Sequence, residues 1–370
     1  MEFTVFFAAF QFLGFGFGFG LGLGFGFGLG RGRCDKTFAD FDGGAVAGDV
    51  ADQLAGKRRA DRGLVRGGEP IVPLANSAKA REKVEFLTSF PCLTKGEGRI
   101  VILRRIAERL GRNVTFVRRL PKRYGGGRCV VSPEGGLRYL RLDLGKVDES
   151  LLQLTRCLVQ PGDVVWDVGA NVGLFTVAAS SHAGPKGEVL AVEADSWLVG
   201  LLRRTASLRD SQRQSPIEVL PCAVSDHESL ARFCIAERAR SSSHLEGVGT
   251  TQSGGLRSTI TVLTVRLDWL LDRRPPPSIV KIDVEGAEEF VLSGATRLLR
   301  EIRPILLVEV GKERCAAATA TLSRARYQLF DGEYSRWFER PPQKECSWNT
   351  VAIPEECAER ICLRAAVNSQ

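Results

Sequence analysis

The sequence predicts an α/β protein built on a doubly wound, mostly parallel, Rossmann-like sheet of seven strands. The first observation is that short apolar runs alternate with helical segments between residues 146 and 353, as in βαβ units. The second is that the run 164–168 ends in a glycine-rich turn, after which a helical pattern begins. The third is that the runs 230–236 and 258–265 have no helical pattern between them, which predicts an inserted β-hairpin.

The first 33 residues have a composition unlike the rest of the chain. Phe or Leu alternates strictly with glycine from Gly14 to Gly30. A signal peptide would need a basic start, which Glu2 does not provide, and glycine at every second position removes most of the helix propensity of a membrane span. We therefore interpret this stretch as a low-complexity tail, or as a translation start placed upstream of the folded protein.

The predicted organisation has four parts. A glycine-rich tail and linker, expected to be disordered, precedes a lead-in of helix and short strands, then the main domain and a C-terminal tail. Their predicted bounds are 1–75, 76–160, 161–356 and 357–370.

Each predicted element depends on the spacing of its apolar residues. Helices repeat apolar residues every three or four positions, as residues 100–110 do before Gly111 ends that helix. Strands are short runs rich in Val, Ile and Leu, bounded by turn residues such as Pro161 and Gly162. The predicted helices are 76–110, 146–159, 173–182, 196–209, 287–300 and 313–325. The predicted strands are 164–168, 188–193, 217–224, 230–236, 258–265, 278–284, 304–310, 326–331 and 347–353.

Charge and cysteine content argue against several classes of protein. The net charge is +8, but the arginines are dispersed, without a long basic run interleaved with aromatic residues, so we expect no nucleic-acid partner. The ten cysteines include no Cys-x-x-Cys pair, so zinc spacing is absent, and a disulfide framework is not expected in a chain this long. Scattered free cysteines are typical of a reducing compartment, so we expect a cytoplasmic protein without a membrane partner.

The glycine-rich turn is the first candidate binding site, and its members are Asp167, Gly169, Ala170, Asn171 and Gly173. Glycine lets a ligand approach the backbone, and the helix start behind it suits a carboxylate. Asp167 would repel a pyrophosphate and attract a cation. S-adenosylmethionine (AdoMet), which has an ammonium, a carboxylate and a sulfonium group, fits this mixture. An NAD(P)-dependent oxidoreductase is the alternative, although Ala170 and Asn171 break its Gly-x-Gly-x-x-Gly spacing.

Two further carboxylates follow the next two predicted strands. Glu193 ends strand 188–193, where an acidic side chain can accept hydrogen bonds from both ribose hydroxyls of an adenosine cofactor. Asp226 follows strand 217–224 and is a candidate acceptor for the exocyclic amine of adenine. Because Ser225-Asp226 is also an ordinary turn-forming pair, both interpretations stay open.

The fourth parallel strand has three charges on one face, since Lys281, Asp283 and Glu285 alternate with apolar residues. A central parallel strand is normally apolar on both faces, so these charges must either pair with one another or open onto a cleft. We favour a cleft that binds substrate or cofactor. His244 lies in a Ser/Gly-rich loop, 241–255, which is a candidate lid over the substrate.

Four motifs in this order resemble one family. Asp-Val-Gly-Ala-Asn-Val-Gly at 167, Val-Glu-Ala-Asp at 192, Ala-Val-Ser-Asp at 223 and Lys-Ile-Asp-Val-Glu-Gly-Ala-Glu at 281 are similar to those of the FkbM family of class I AdoMet-dependent methyltransferases. The resemblance covers roughly residues 120–355. It departs from the family at Ala194, where proline is more frequent.

The resemblance implies O-methylation of a hydroxyl on a sugar, glycan or small natural product. It also implies that Asp167, Gly169, Asn171 and Gly173 hold the methionine part of AdoMet and that Glu193 holds the ribose. A nucleic-acid methyltransferase is a further alternative, but the Asn-Pro-Pro-Tyr type of base pocket is missing. Strand-end carboxylates also suit Mg²⁺, yet the sequence contains no complete oxygen cage, so no metal is indicated.

Methyl transfer to a hydroxyl oxygen needs a group that takes the proton. The candidates are Asp283, Glu285 and His244. An unperturbed carboxylate is a weak base for a sugar hydroxyl, so we expect burial to raise the pKa of the base, or proton loss to follow methyl transfer.

Overall fold

The computed structural model describes residues 113–249 and 255–368. The tail at 1–75 and the helix predicted at 76–110 lie outside these residues. The strands are β1 (Phe116–Arg119), β2 (Arg128–Val131), β3 (Val164–Val168), β4 (Glu188–Val192), β5 (Ile217–Leu220), β6 (Ala223–Val224), β7 (Ser229–Ala236), β8 (His244–Leu245), β9 (Leu256–Val265), β10 (Ile279–Ile282), β11 (Ile305–Glu309), β12 (Tyr327–Asp331) and β13 (Asn349–Pro354). The α-helices are α1 (Glu149–Leu158), α2 (Leu174–Ala183), α3 (Ser196–Ser207), α4 (Leu267–Leu271), α5 (Glu288–Ser293), α6 (Cys315–Arg324) and α7 (Ala358–Asn368).

A seven-stranded sheet forms the centre of the molecule, in the order β12-β13-β11-β10-β3-β4-β5. The pairs of β3 with β4 and β10, of β4 with β5, and of β10 with β11 are parallel. Strand β13 is antiparallel to both of its neighbours. The doubly wound, mostly parallel, Rossmann-like sheet predicted from the alternation of strands and helices is therefore confirmed.

Consecutive side chains of β3 point to opposite faces of the sheet, and both faces are covered by helices. Val165 and Trp166 are both fully buried, but they belong to different apolar clusters. Val165 packs in a cluster with residues of α1, α2 and α7. Trp166 packs in the cluster that includes residues of α4, α5 and α6. A strand buried on both faces needs apolar residues at consecutive positions, as its sequence has.

The inserted hairpin forms a second sheet in the order β6-β9-β7-β8, and β7 pairs antiparallel with β9. The strand predicted at 217–224 is split between the two sheets. Its first part is β5 in the central sheet, and its last part is β6, which pairs with β9. Pro221 lies at the break, where a residue without an N–H group cannot continue a central ladder.

Two other predictions need correction. The predicted C-terminal tail at 357–370 contains α7, whose Ile361 and Ala365 pack into the cluster that also holds residues of α1. The helix predicted at 287–300 is interrupted: α5 ends at Ser293, Gly294 and Ala295 follow, and a π-helical turn covers Leu298–Ile302. Glycine at 294 is required because an added Cβ would collide with the backbone oxygen of Ser225. No helix within the described part of the chain is long and apolar enough to span a bilayer.

Candidate active site

A cleft of about 630 Å³ opens at the carboxyl ends of β3, β4 and β10. Ligands of open α/β sheets bind at this edge of the sheet. The insertion supplies one wall of the cleft. Its lining residues are Arg138, Val168, Gly169, Asn171, Val192, Glu193, Ala194, Leu198, Cys222, Ala223, Val224, Phe233, Arg240, Ser241, Ser243, Leu245, Asp283, Val284, Glu285 and Ala287.

The turn after β3 brings two strand ends into contact. Gly169 has a φ of +76°, and a Cβ on it would overlap the carbonyl oxygen of Asp283. Glycine is therefore needed both for the left-handed backbone and for the close approach of β3 to the end of β10. Gly173 has a φ of +87°, but a Cβ there would meet Leu202, so this residue packs the turn onto α3 and does not line the cleft.

Asp167 is completely buried and does not line the cleft. It lies on the same face of β3 as Val165, under α2, where one carboxylate oxygen accepts a hydrogen bond from the Thr176 hydroxyl. The other oxygen lies 3.2 Å from the Lys281 ammonium. The expected attraction between Asp167 and a cation is present, but the cation is a side chain of this protein.

Lys281 joins the two strand ends. Its ammonium donates a hydrogen bond to the carbonyl oxygen of Gly169 at 2.7 Å and lies 3.3 Å from Asp283. Burial alone would lower the pKa of Lys281, but the carboxylates of Asp167 and Asp283 outweigh burial and raise this pKa. The lysine therefore stays charged and orders the glycine turn from behind.

Glu193 and Asn171 line the cleft together. The Glu193 carboxylate accepts hydrogen bonds from the backbone N–H groups of Asn171 and Asp195, each at 2.8 Å. Burial raises the pKa of Glu193 to about 7 against these two hydrogen bonds. The Asn171 side-chain oxygen Oδ1 is buried and has no hydrogen-bond partner among the described residues. A buried polar atom without a partner at a cleft is a position where a ligand can bind.

The structure does not bring Ala170 and Asp226 into the lining of the cleft. Ala170 is buried against Ala191 and Leu202. Asp226 lies beside α5, where its Cα would be 3.1 Å from a Cβ on Gly294, and its carboxylate contacts the His227 ring. The turn-forming interpretation of Ser225-Asp226 fits this position, whereas Cys222, Ala223 and Val224 do reach the cleft.

Asp283 and Glu285 line the cleft just after the end of β10. Glu285 has a φ of +55°, followed by Gly286 at +104°; a left-handed backbone at a non-glycine residue costs on the order of 1–3 kcal/mol and is often found at functional sites. The side chain of Glu285 is exposed to the cleft. Its enclosure there and the nearby carboxylates of Asp283 and Glu309 raise the pKa of Glu285 to about 8.

The third base candidate, His244, does not line the cleft, although Ser243 and Leu245 on either side of it do. Side chains alternate along β8, so the imidazole faces away. It is buried, and its Nδ1 lies 3.1 Å from the carbonyl oxygen of Ser242. Spacing alone could not decide which of these alternating residues faces the cleft.

Sequence reasoning missed a buried ion-pair network that fastens the insertion over the cleft. Arg240 lies between Glu134, at 3.2 Å, and Asp195, and it stacks over the Trp197 ring with 4.9 Å to the centroid. Glu134 also pairs with Arg257 at 2.6 Å. These residues come from distant parts of the sequence, so no local pattern could have connected them.

Arg138 and Glu309 were also missed. Glu309 ends β11, and a carboxylate at the end of a parallel strand is the same signal that identified Glu193. Burial and the neighbouring Asp283 raise the pKa of Glu309 to about 8. Arg138 lies on the 3₁₀ turn Leu137–Leu140 and has no sequence signal. Within residues 113–249 and 255–368, no cluster of three or more His, Cys, Asp or Glu side chains has the geometry of a metal site.

Comparison with known sequences agrees with the motifs. Residues 167–329 match the family model described as the methyltransferase FkbM domain. The chain is also similar to the hexuronic acid methyltransferase AglP of Haloferax volcanii, with 26% identity over 165 residues. That alignment covers 44% of this chain, and the chain spans 62% of the length of the relative.

Solved structures resemble the chain at lower identity. The methyltransferase FkbM of Methylobacillus flagellatus shares 16% identity, with 60% of this chain and 58% of that chain covered and a TM-score of 0.32. The precorrin-6y C5,15-methyltransferase of Geobacter metallireducens shares 16% identity, with 55% and 84% covered and a TM-score of 0.31.

Proposed function

We propose that this chain, whose residues 167–329 match the family model described as the methyltransferase FkbM domain, is an AdoMet-dependent O-methyltransferase of a small hydroxylated acceptor. One observation carries this proposal. A single cleft contains a carboxylate suited to ribose, Glu193, and a carboxylate whose pKa suits proton transfer, Glu285. The glycine turn separates them.

The residues of the cleft fit AdoMet. Glu193 would accept hydrogen bonds from the ribose hydroxyls, since its two oxygens are already oriented by backbone N–H groups. The Asn171 Oδ1 without a partner would hold the methionine part. Gly169, whose N–H and carbonyl groups already pair with Val192 and Lys281, would leave room for it by lacking a Cβ. Asp167 and Gly173 would act indirectly, Asp167 by fixing Lys281 and Gly173 by packing the turn.

AdoMet supplies a methyl group on a positively charged sulfur, which an acceptor oxygen attacks in line. The contribution of the protein is then positioning and proton transfer. Glu285 would take the proton of the acceptor hydroxyl, since its raised pKa makes it a better base than an ordinary carboxylate. Asp283, held by Lys281 at 3.3 Å, would accept a hydrogen bond from the same hydroxyl or from its neighbour and so orient the acceptor.

A sugar is the acceptor class that this arrangement supports best. Two adjacent carboxylates can accept hydrogen bonds from neighbouring hydroxyl groups of one ring. The relative from Haloferax volcanii is called a hexuronic acid methyltransferase, so hexuronic acids are the first acceptors to test.

Calorimetry with S-adenosylhomocysteine (AdoHcy) and with NADH tests the cofactor, and transfer of labelled methyl groups from AdoMet to glucuronic acid, glucose and their glycosides tests the acceptor. We expect AdoHcy to bind and NADH not to bind, and we expect the label to appear as a methyl ether. Tighter binding of NADH than of AdoHcy would overturn the cofactor proposal. Label found only on nitrogen or carbon would overturn O-methylation.

A further inference from the structure

Three cationic side chains lie in or beside the cleft, and they differ in whether carboxylates of the protein neutralise them. Lys281 lies behind the glycine turn, where its ammonium contacts Asp167, Asp283 and the carbonyl oxygen of Gly169. Arg240 is held by two carboxylates and by the Trp197 ring. Both cations are therefore neutralised by carboxylates of the protein itself.

Arg138 is the exception among the charged lining residues. Its side chain is exposed to the cleft. Among the described residues, no carboxylate lies at ion-pairing distance from its guanidinium, which lies over the ring of the adjacent Tyr139, at 5.7 Å from the centroid. An arginine that faces a cleft without a partner keeps all five N–H donors for a ligand.

The position of Arg138 is fixed by the backbone around it. Tyr139, the next residue, is buried and packs in the apolar cluster that also contains Val172 of the glycine turn. The Asn171 side chain donates a hydrogen bond to the carbonyl oxygen of Gly135 at 3.5 Å. The turn that contains Arg138 thus packs against the glycine turn, and Arg138 extends over the end of the cleft that contains Asp283 and Glu285.

The surrounding carboxylates do not prevent an anion from binding there. Asp283 is compensated by Lys281 at 3.3 Å. Burial and the nearby Asp283 carboxylate raise the pKa of Glu285 and that of Glu309 to about 8, so both are largely protonated at pH 7. The adjacent Tyr139 and the charges of Asp148, Asp283 and Glu309 raise the pKa of Arg138, so its guanidinium stays charged without a close ion-pair partner at this end of the described cleft.

We infer that Arg138 binds a carboxylate group at the methyl-transfer end of the cleft. A planar guanidinium matches a carboxylate with two parallel hydrogen bonds. This inference rests on the proposed function, which offers two sources of a carboxylate: the methionine end of AdoMet and the acid group of a hexuronic acid. The chemistry of recognition is the same for both.

The test compares the wild-type full-length chain with Arg138→Gln, which keeps most of the side-chain length without the charge. The first arm measures the Kd of AdoHcy and of 5′-deoxy-5′-methylthioadenosine, which lacks the amino-acid carboxylate. If the cofactor is the source, the Kd of AdoHcy rises by about 10- to 100-fold, the scale of one charged hydrogen-bonded pair. The Kd of methylthioadenosine then stays within about threefold.

The second arm measures binding of glucuronic acid and of glucose to the AdoHcy-loaded protein, together with the KM of each as acceptor. If the acceptor is the source, Arg138→Gln weakens glucuronic acid by a similar factor and leaves glucose and AdoHcy unchanged. Arg138→Lys should recover part of the lost affinity in whichever arm responds, because it keeps the charge without the planar fork.

The matched control is Arg213→Gln, which removes the same charge from an exposed arginine before β5, at the opposite edge of the sheet. It should leave both arms unchanged. Wild-type binding of AdoHcy that Arg138→Gln does not alter, together with unchanged affinity for glucuronic acid, would overturn the inference and leave the proposed function standing. Failure of the wild-type chain to bind AdoHcy would instead overturn the proposed function, and the cofactor arm of the inference with it.

Discussion

The ammonium of Lys281 lies 3.2 Å from the carboxylate of Asp167 on the neighbouring strand, and both side chains are almost completely buried. The two residues are in register across β3 and β10. The same ammonium contacts Asp283 and the carbonyl oxygen of Gly169, so one buried cation connects the glycine turn to the end of the neighbouring strand.

The first prediction concerns this pair. Lys281→Met should lower the free energy of unfolding by about 3–5 kcal/mol, because it leaves the Asp167 carboxylate buried without a counter-charge. Urea unfolding measures the loss. The double variant Lys281→Met, Asp167→Leu should recover a large part of it, since no buried charge then remains. Lys344→Met, at an exposed lysine, is the control and should change stability by less than about 0.5 kcal/mol. Equal losses at positions 281 and 344 would contradict the role given to the pair.

The second prediction compares Gly169, in the glycine turn after β3, with Gly162, in the turn before β3. The comparison separates the cost of a left-handed backbone from the cost of steric overlap. Gly169 and Gly162 both have positive φ, but a Cβ on Gly162 would meet nothing within 4 Å. Gly162→Ala should therefore cost only the left-handed conformation, about 1–2 kcal/mol. Gly169→Ala should cost clearly more and should also weaken AdoHcy binding, because the added methyl group pushes the turn away from Asp283. Thermal unfolding and calorimetry measure the two effects, and similar costs for both variants would show that the close approach is unimportant.

The third prediction tests Glu285 as the base. Glu285→Gln should lower turnover by about a hundredfold or more, the scale of losing a positioned acid–base group, and should leave the Kd of AdoHcy within a few-fold. Asp283→Asn should also lower turnover, with some loss of stability because Lys281 loses one partner. Glu289→Gln removes the same charge four residues on, from a side chain that pairs with Arg314 outside the cleft lining, and should leave turnover nearly unchanged. Full activity of Glu285→Gln would remove Glu285 from the mechanism.

The fourth prediction is a pH dependence of activity. A general base must be deprotonated, so kcat/KM of the wild-type protein should rise with pH, reach about half of its maximum near pH 8, where Glu285 titrates, and level off above that pH. Because the Glu309 carboxylate contributes to the raised pKa of Glu285, the apparent pKa belongs to this pair rather than to one of its members. In Glu285→Gln this rise should flatten. A profile that falls between pH 6 and pH 8 would exclude a carboxylate base at this site.

The fifth prediction is a pH dependence of stability. Glu309 has a folded-state pKa of about 8, whereas the ordinary value is 4.5. Between these two pH values the folded protein therefore holds a proton that the unfolded chain has released. Stability contributed by this group is therefore lost as pH rises from about 4.5 to 8. Glu309→Gln should reduce the fall in Tm over this pH range. Each kcal/mol of stability that no longer depends on pH should reduce that fall by about 2–4 °C. Glu345→Gln, at an exposed carboxylate, should leave the pH dependence as it is in the wild-type protein.

Local patterns were sufficient for the order of the elements. The alternation of apolar strands and helices, the glycine turn after β3 and the hairpin of β7 and β9 can all be recognised within a dozen residues, because they depend on side-chain period and on turn residues. Two of the three errors in the fold had visible signals. Pro221 marks the split of the strand predicted at 217–224, and the apolar spacing of Ile361 and Ala365 marks α7.

The sequence by itself determined the kind of fold, the position of the glycine turn and the presence of Glu193, Asp283 and Glu285 at strand ends. Tertiary structure alone decided which charges face the cleft. Asp167 turned out to be satisfied by Lys281, 114 residues away in the chain, whereas Arg138, which no motif marked, faces the cleft. The reason is that a buried charge is stabilised by whichever partner the packing of the sheet places beside it, and that partner is set by strand order and register rather than by neighbours in sequence.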